Sequence, residues 1–297
     1  MKILLVVNKT YHGREDGGHW NLYTPLLNLG HDVEWYDTVA PDFDFREKVQ
    51  SWGPDLIFCC MTGDPNIAPH EPWEEIRMET ETGRTRTFNW FCDDTWRFDT
   101  FSSKACRNFN VCSTPEPNYL DKYRSIGYNN IILGCWHVNG GFYFPEMRKD
   151  KDVSFIGNMT PSRTAFFSAL DIEGIDIVGG VSMENLFAEH SRTKIGINLS
   201  KNDNDPAGGT QMKQRPFEIA AGGAMVLTEH HDVLSNFFEV DREIVTFKTA
   251  HECKAKLTWL IQHPFSAAEI AKNGHERFMR EHESHVRLKS VLKEIME

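Results

Sequence analysis

The sequence is poor in several features, and each absence narrows the field. No apolar run approaches the roughly 20 residues that a membrane-spanning helix needs, so no membrane span is expected. The N-terminal stretch "MKILLVVNKTYHG" has too short an apolar part for a signal peptide and no small-residue cleavage site, which favours a soluble, cytoplasmic chain. Seven cysteines include the adjacent Cys59 and Cys60 but no C-x-x-C pair, so neither a disulfide framework nor a metal pattern is expected of them. Cys59, Cys60, Cys112 and Cys135 sit in apolar runs and read as reduced core residues. Basic residues are in deficit, 32 against 43 acidic ones, for a net charge of −11. That charge repels duplex DNA and anionic lipid at long range, so no nucleic-acid partner is expected. A local basic patch remains compatible with a phosphorylated small molecule. No repeat of fixed period and no low-complexity tract occurs, and no G-x-G-x-x-G follows the first strand, which argues against a dehydrogenase.

What is present suits a globular α/β protein. The chain has 297 residues, 40% of them hydrophobic and 12% aromatic, enough for two domains of about 150 residues each. "KILLVV" at 2–7 is a continuous apolar run, the mark of a strand buried on both faces of a parallel sheet. A polar loop, a helical pattern through Trp20, Leu22, Leu26, Leu27 and Leu29, and a second strand in "HDVEWYD" complete a β-α-β unit within the first 37 residues. Alternation continues through "DLIFCCM", "TFNWFCDD", "FNVCST", a helix around Asn118–Ile126 and "NIILGCW". The stretch 140–152, with two glycines, a proline and a charge run, reads as a linker. A second series follows: "VSFIGNM", a helix, "IDIVGG", a helix, "KIGINLS", the helix "FEIAAGG", "AMVLT" and "EIVTF", with helix from about Ala250 to the end. The expected architecture is two doubly wound, Rossmann-like domains, 1–147 and 148–297, facing a cleft lined by the carboxyl ends of both sheets.

The most informative stretch is "QMKQRPFEIAAGGAMVLTEHHD", 211–232. Pro216 suits the first turn of a helix, whose free amides attract an anion. Lys213 and Arg215 supply full charges to a diphosphate, and Glu218 is placed to accept two hydrogen bonds from vicinal hydroxyls, as on a ribose. The alternative stays open: Glu218 merely complements the helix dipole and Arg215 is a solvated surface residue. In the first half, Gly17 and Gly18 let a backbone approach a ligand, and Asp16 and His19 are candidates for a general base, with His12 a weaker one. Loop solvation is the competing explanation. Asp93 and Asp94 end a very apolar strand, where an acid is costly unless it is hydrogen-bonded or working, and His137 follows "LGCW" at another strand end. Trp20, Trp90, Trp96 and Trp136 are candidates for stacking on sugar rings, or for the core. Asp203-Asn204-Asp205 has the form of a D-x-D metal motif but lies in a turn-like run. His230 and His231 lack further ligands, so no required metal is predicted; a divalent ion beside a diphosphate is compatible with the sequence but not predicted.

"RPFEIAAGGAMVLTE", "FFEVDREIVTF" and "AEIAKNGHERFMREHESHVRL" together resemble the C-terminal region of GT-B glycosyltransferases of group 1, in particular the CgeB-like, spore-maturation-type branch. That group carries R-x-F-E-x-x-A-x-G, then a strand, an acidic-aromatic loop, and a G-x-x-R-x-x-x-x-H pattern that here reads Gly274, Arg277 and His282. The resemblance covers roughly 150–290 and extends loosely to the first half. It implies GT-B architecture, with an acceptor-side first domain, a donor-side second domain and a last helix able to cross back to the first. It also implies that Glu218 holds the ribose of a nucleotide-diphosphate sugar, that Arg215 and Lys213 face its phosphates, that Gly157, Asn158 and Arg163 border the diphosphate, and that Gly179 and Gly180 end the strand near the base. The implied activity is transfer from a nucleotide sugar, with a UDP-sugar the expected donor, to an unidentified glycan, protein or small molecule, without a required cofactor. The sequence departs from the pattern at one place. Where many retaining members have a first glutamate eight positions before the second, Thr210 stands, leaving Gly208, Gly209 and Thr210 to face the sugar. Retention is favoured over inversion; a nucleotide-sugar-binding protein with degenerate catalysis and a GT-B-fold epimerase are the alternatives.

Overall fold

A computed structural model describes the chain from Met1 to Glu297 except for His12, Cys135 and Pro206. The expected weak base His12 and the expected core thiol Cys135 therefore lie outside the described residues. The chain forms two compact units, Met1–Cys135 with Ser284–Glu297, and Trp136–Glu283. The division falls before the glycine-rich stretch rather than at 147/148. The last helix, Ser284–Met296, belongs to the first unit: its Leu288, Val291, Leu292 and Ile295 are buried, and the Ile295 carbonyl accepts from Arg86 Nε at 2.9 Å.

The strands of the first unit are β1 (Lys2–Val7), the short pair β2 (Thr10–Tyr11) and β3 (Arg14–Glu15), β4 (Asp32–Asp37), β5 (Leu56–Cys59), β6 (Arg86–Trp90), β7 (Val111–Thr114) and β8 (Ile131–Leu133). Among the described residues a parallel six-stranded sheet runs in the order β4-β1-β5-β6-β7-β8, with β2 and β3 pairing separately as an antiparallel hairpin. Ile3, Leu4, Leu5 and Val6 are fully buried because β1 lies between two strands and is covered on both faces, as its unbroken apolar run requires. Helices Phe45–Trp52 and Trp73–Thr82 complete the alternation. They leave little trace in the sequence because each buries so little: Phe45 with Val49 in one, Ile76 with Glu79 in the other. Cys59, Cys106 and Cys112 are buried here, and burial pushes all three thiols up, as expected of inert core cysteines; Cys60 is only partly buried and lies 3.6 Å from Cys92 Sγ.

The second unit carries β9 (Lys151–Ile156), β10 (Ile175–Val178), β11 (Thr193–Asn198), β12 (Met225–Glu229) and β13 (Val245–Phe247), all parallel, in the order β10-β9-β11-β12-β13. β9 starts inside the expected linker, because Lys151 already pairs with Thr193. The expected C-terminal helical stretch is three helices: Ala250–Gln262, Pro264–Glu281 and the last one. Pro264 restarts the second of these at its first position, where a missing N–H costs nothing.

The three sequence stretches of the family-like pattern meet in one place. Phe217 packs with Phe237, Phe238 and the ring of His282, the last at 4.9 Å, and His282 Nε2 donates to the Phe237 carbonyl at 2.8 Å. His282 and Phe217 are fully buried. Gly274 lets helix Pro264–Glu281 press on the chain at Glu243, whose carbonyl oxygen a Cβ at 274 would overlap. This cluster seats helix Arg215–Ala221. Gly274→Ala is expected to cost roughly 1–2 kcal/mol in urea unfolding, since overpacking against backbone exceeds the helix-propensity gain of about 1 kcal/mol. A variant as stable as the parent would refute the close approach.

Candidate functional site

In the second sheet β10 and β11 leave β9 on opposite sides. A crevice therefore opens past the carboxyl ends of β9 and β11, where open α/β sheets take their ligands. Arg215, the first residue of helix Arg215–Ala221, spans it: Nε donates to the Ile156 carbonyl at 2.6 Å and Nη1 to Asn198 Oδ1 at 3.1 Å. Asn198 is fully buried and donates in turn to Thr228 Oγ1 at 2.9 Å, so one guanidinium links the ends of β9, β11 and β12. The Phe155 ring lies beneath it, 4.8 Å from centroid to guanidinium carbon. Gly157, at φ +153°, makes room: a Cβ there would overlap the guanidinium. The Gly157 amide donates to the Val178 carbonyl at 2.8 Å, and Gly179 faces the Gly157 carbonyl, with Gly180 following at φ +67°. Arg163, on helix Pro161–Leu170, donates to the Asn158 carbonyl and lies 5.5 Å from the same Phe155 ring.

Gly157, Asn158, Arg163, Gly179 and Arg215 thus converge at one strand edge. Among the described residues no carboxylate lies within ion-pair distance of either guanidinium; the acids that influence them are Glu218 for Arg215 and Asp203 for Arg163. Burial and then the like charge of Arg163 bring Arg215 down to about 10, with Glu218 opposing. Burial likewise lowers Arg163. Both remain cations at neutral pH, and two under-neutralised guanidiniums in a desolvated corner favour an incoming anion. The expected open amides of the helix start do not add to this. Phe217 N and Glu218 N both turn back onto the Gln214 carbonyl, at 2.9 and 3.3 Å, so the positive charge there comes from side chains.

Glu218 lies behind Arg215 and is 9% exposed. Its Oε1 accepts from Gln214 Nε2 at 3.0 Å, and its Oε2 is 3.6 Å from His190 Nε2. Burial alone pushes this carboxyl up, but His190, Arg215 and Gln214 together outweigh it and hold it below its ordinary value. Tyr143 completes the buried polar group, its hydroxyl pushed far up by burial and by the charge of Glu218. Asn198, Gln214 and His190 were not singled out from sequence. Gln214 carried a signal, four positions before Glu218 on one helical face. His190 and Asn198 carried none, since only folding brings them to the motif.

The described residues of the stretch around Asp205 bond to one another. Lys201 bridges Thr210, the Asn202 amide donates to the Gly209 carbonyl at 3.0 Å, and the Asp205 carboxylate accepts from Ala207 N and Gly209 N, both at 2.9 Å. Asp205 therefore organises a turn, as the loop-like sequence suggested. Thr210 Oγ1 is 2.9 Å from His231 Nδ1, and the neighbouring Gln211 amide donates to the Ser200 carbonyl at 3.0 Å, just past the end of β11. Lys213 is partly buried on the approach to the helix.

The remaining candidates are scattered. In the first unit Asp16 accepts from Asn8 Nδ2 at 2.9 Å and from Gly17 N at 2.8 Å, with burial raising its carboxyl. His19 stacks on Trp35 at 6.3 Å, and Gly18 packs on the same Trp35 ring and on Val7. Asp93 precedes the short helix Asp94–Arg97. Asp94 is completely buried, with both carboxylate oxygens 3.0 Å from the Tyr123 hydroxyl, and burial raises it to about 6. It faces the interior of its unit rather than solvent, because a hydroxyl partner supplies there what water would otherwise supply. His137, in the second unit, is also buried. Among the described residues no group of three or more metal-ligating side chains occurs, and no helix is long and apolar enough to cross a membrane.

A family model described as glycosyl transferase-like matches residues 144–293, more than half of the chain. The chain belongs to the glycosyl transferase-like family. It is a glycosyltransferase by that membership, and solved structures agree with its fold. A glycosyltransferase from Rickettsia africae superposes with TM-score 0.67 at 11% identity, covering 100% of this chain and 98% of that one. HepE from Anabaena, solved with UDP and glucose, gives TM-score 0.67 at 10% identity with 100% and 99% covered. Sucrose-phosphate synthase from Thermosynechococcus elongatus gives 0.65 at 12% with the same coverage. The two doubly wound units are thus the GT-B pattern. No curated protein sequence matches the chain significantly.

For this glycosyltransferase the depressed carboxyl of Glu218 has a sign that can be measured. An acid held below its unfolded value of 4.5 contributes stability that is present above that value and lost as pH falls through its folded one. Glu218→Gln is therefore expected to be less stable than the parent in urea unfolding at pH 7, with the gap closing below about pH 4.5. A gap that stays constant with pH would show that ionisation of Glu218 contributes nothing.

Proposed function

We propose that the chain transfers a sugar from a nucleotide-diphosphate donor, a UDP-sugar, with the donor held on the carboxyl edge of the second sheet. The observation that carries this is the pair Arg215 and Arg163, two guanidiniums converging on the switch point of the sheet with no carboxylate in ion-pair reach among the described residues. A diphosphate supplies the missing negative charge, and guanidinium forks suit phosphate oxygens. Gly157, Asn158, Gly179 and Gly180 border the diphosphate and base, and Lys213 adds charge on the approach. Glu218 takes the ribose hydroxyls, exchanging its Gln214 hydrogen bond for the diol. The UDP found with Anabaena HepE supports the choice of base.

Catalysis on this reading is electrostatic: the arginines stabilise the charge that develops on the departing nucleoside diphosphate, with no metal required. The first unit is the acceptor side, with Asp16, His19 and Asp93 as the candidate proton acceptors, and the acceptor is a glycan, protein or small molecule. The GT-B pattern with R-P-F-E and the Gly274, Arg277, His282 series supports the CgeB-like branch, and retention of configuration is the favoured outcome.

A second reading, a nucleotide-sugar-binding protein with degenerate catalysis, is favoured by Thr210. That position faces His231 instead of carrying the carboxylate that many retaining members use. Thermal-shift and calorimetric titration with UDP, GDP and ADP and their sugars, followed by turnover assays, separates the two. UDP binding with release of UDP from a UDP-sugar is the expected result; binding without turnover establishes the second reading, and no binding of any nucleotide overturns both. Arg215→Ala and Arg163→Ala are each expected to weaken UDP binding at least ten-fold, and Arg215→Ala to lower kcat/KM by about 100-fold or more, the scale for losing one preorganised donor at a developing anion.

A further inference from the structure

A cavity of about 660 Å³ opens on the other edge of the second sheet, at the amino-terminal ends of its strands. Asp152 of β9 and Lys194 and Ile195 of β11 form its floor, and helices Ala250–Gln262 and Pro264–Glu281 form a wall with Leu260, Ala267 and Ala271. Its size is within the range of small-molecule sites, and its lining is mainly apolar with a few charged groups at fixed places, the usual make-up of such sites. Lys194 is already matched by Asp152 at 2.6 Å. Lys149 is not matched in this way: among the described residues no carboxylate is within ion-pair distance, and its Nζ donates only to the carbonyls of Ser191 at 3.1 Å and Gly222 at 2.8 Å. Burial in this setting lowers its ammonium to about 8, with Glu146 opposing, so an added anion is favoured at neutral pH.

Two cavity-lining side chains hold the end of one helix. Lys149 binds the carbonyl of Gly222, and His275 Nδ1 donates to the carbonyl of Ala220 at 2.8 Å. Both carbonyls belong to the last turn and cap of helix Arg215–Ala221, whose first turn carries Arg215 and Glu218. We propose that this cavity binds a small amphipathic carboxylate, its apolar body against Leu260, Ala267 and Ala271 and its acid group on Lys149, and that occupancy is transmitted along helix Arg215–Ala221 to Arg215 and Glu218. An acid group that takes Lys149 competes with the Gly222 carbonyl for the same ammonium, which loosens the cap and lets the short helix shift as a unit. The transmission rests on the donor site proposed above; the binding does not.

The test is calorimetry on the full chain with octanoate and, as its uncharged counterpart, octanol. Octanoate is expected to bind at least ten-fold more tightly than octanol. Ala268→Trp, on an exposed position of the cavity wall, is expected to weaken both at least ten-fold with an unchanged melting temperature. Lys149→Met is expected to remove the preference for octanoate; should that variant fold poorly, the octanoate and octanol titrations of the parent decide the head group alone. Saturating octanoate is expected to change the Kd for UDP three-fold or more. Absence of octanoate binding, equal affinity for octanol, or indifference to Ala268→Trp overturns the site. Octanoate binding that leaves the UDP affinity unchanged overturns the transmission. A parent that binds no UDP refutes the donor site, and the transmission with it, while the octanoate titration still decides the cavity.

Discussion

The seating of the Arg215 guanidinium is the constraint around which the second unit is organised. Its hydrogen bonds to Ile156 and Asn198 tie together the two strands that border the switch point, and its face lies on Phe155. Every neighbour is arranged to permit this. Gly157 has no side chain because the guanidinium occupies that space, and Asn198 is aimed by its bond to Thr228. The helix that carries Arg215 is pinned from below by the aromatic cluster of Phe217, Phe237, Phe238 and His282. A charged group so desolvated is costly, and the carbonyl and amide oxygens around it offset only part of that cost. The remainder is the physical basis for anion binding at this edge.

Glu218 illustrates how one helix serves two kinds of chemistry. Three positions after Arg215 it faces a different environment, where Gln214 and His190 stabilise its ionised form against burial. Arg215 and Glu218 are near neighbours on the helix, yet each is drawn to its own partners, the guanidinium to Ile156 and Asn198 and the carboxylate to Gln214 and His190, rather than the two neutralising each other in a simple ion pair. Were they paired directly, neither would be available to a ligand. The far end of the same helix is held by His275 and Lys149, so a seven-residue element connects the carboxyl edge of the sheet to the cavity on its amino edge.

Much of the fold was legible in the chain because parallel strands covered on both faces must be continuous apolar runs, and "KILLVV" or "AMVLT" can hardly be anything else. The helices Phe45–Trp52 and Trp73–Thr82 were harder to see because one or two core residues each make no clear period. The boundary between units was displaced for a related reason. Glycine and proline density marks a flexible-looking stretch, but Trp136 Nε1 donates to the Met212 carbonyl and Phe144 N to Ser191 Oγ, both at 2.9 Å, which ties that stretch to the second unit, and the last helix joins the first unit by its buried Leu288, Leu292 and Ile295.

The sequence by itself determined the alternation of strands and helices, the grouping of Arg215, Pro216, Phe217 and Glu218 on one turn, and the absence of an acid at Thr210, since all of these are local in the chain. Only the tertiary structure decided that Arg163 reaches the same Phe155 ring as Arg215, that His190 stands opposite Glu218, and that Asp94 is spent on Tyr123 inside its unit. These residues are far apart in sequence. Their proximity is set by which strands are neighbours in the sheet and by what must be excluded from water, which no short stretch of sequence encodes.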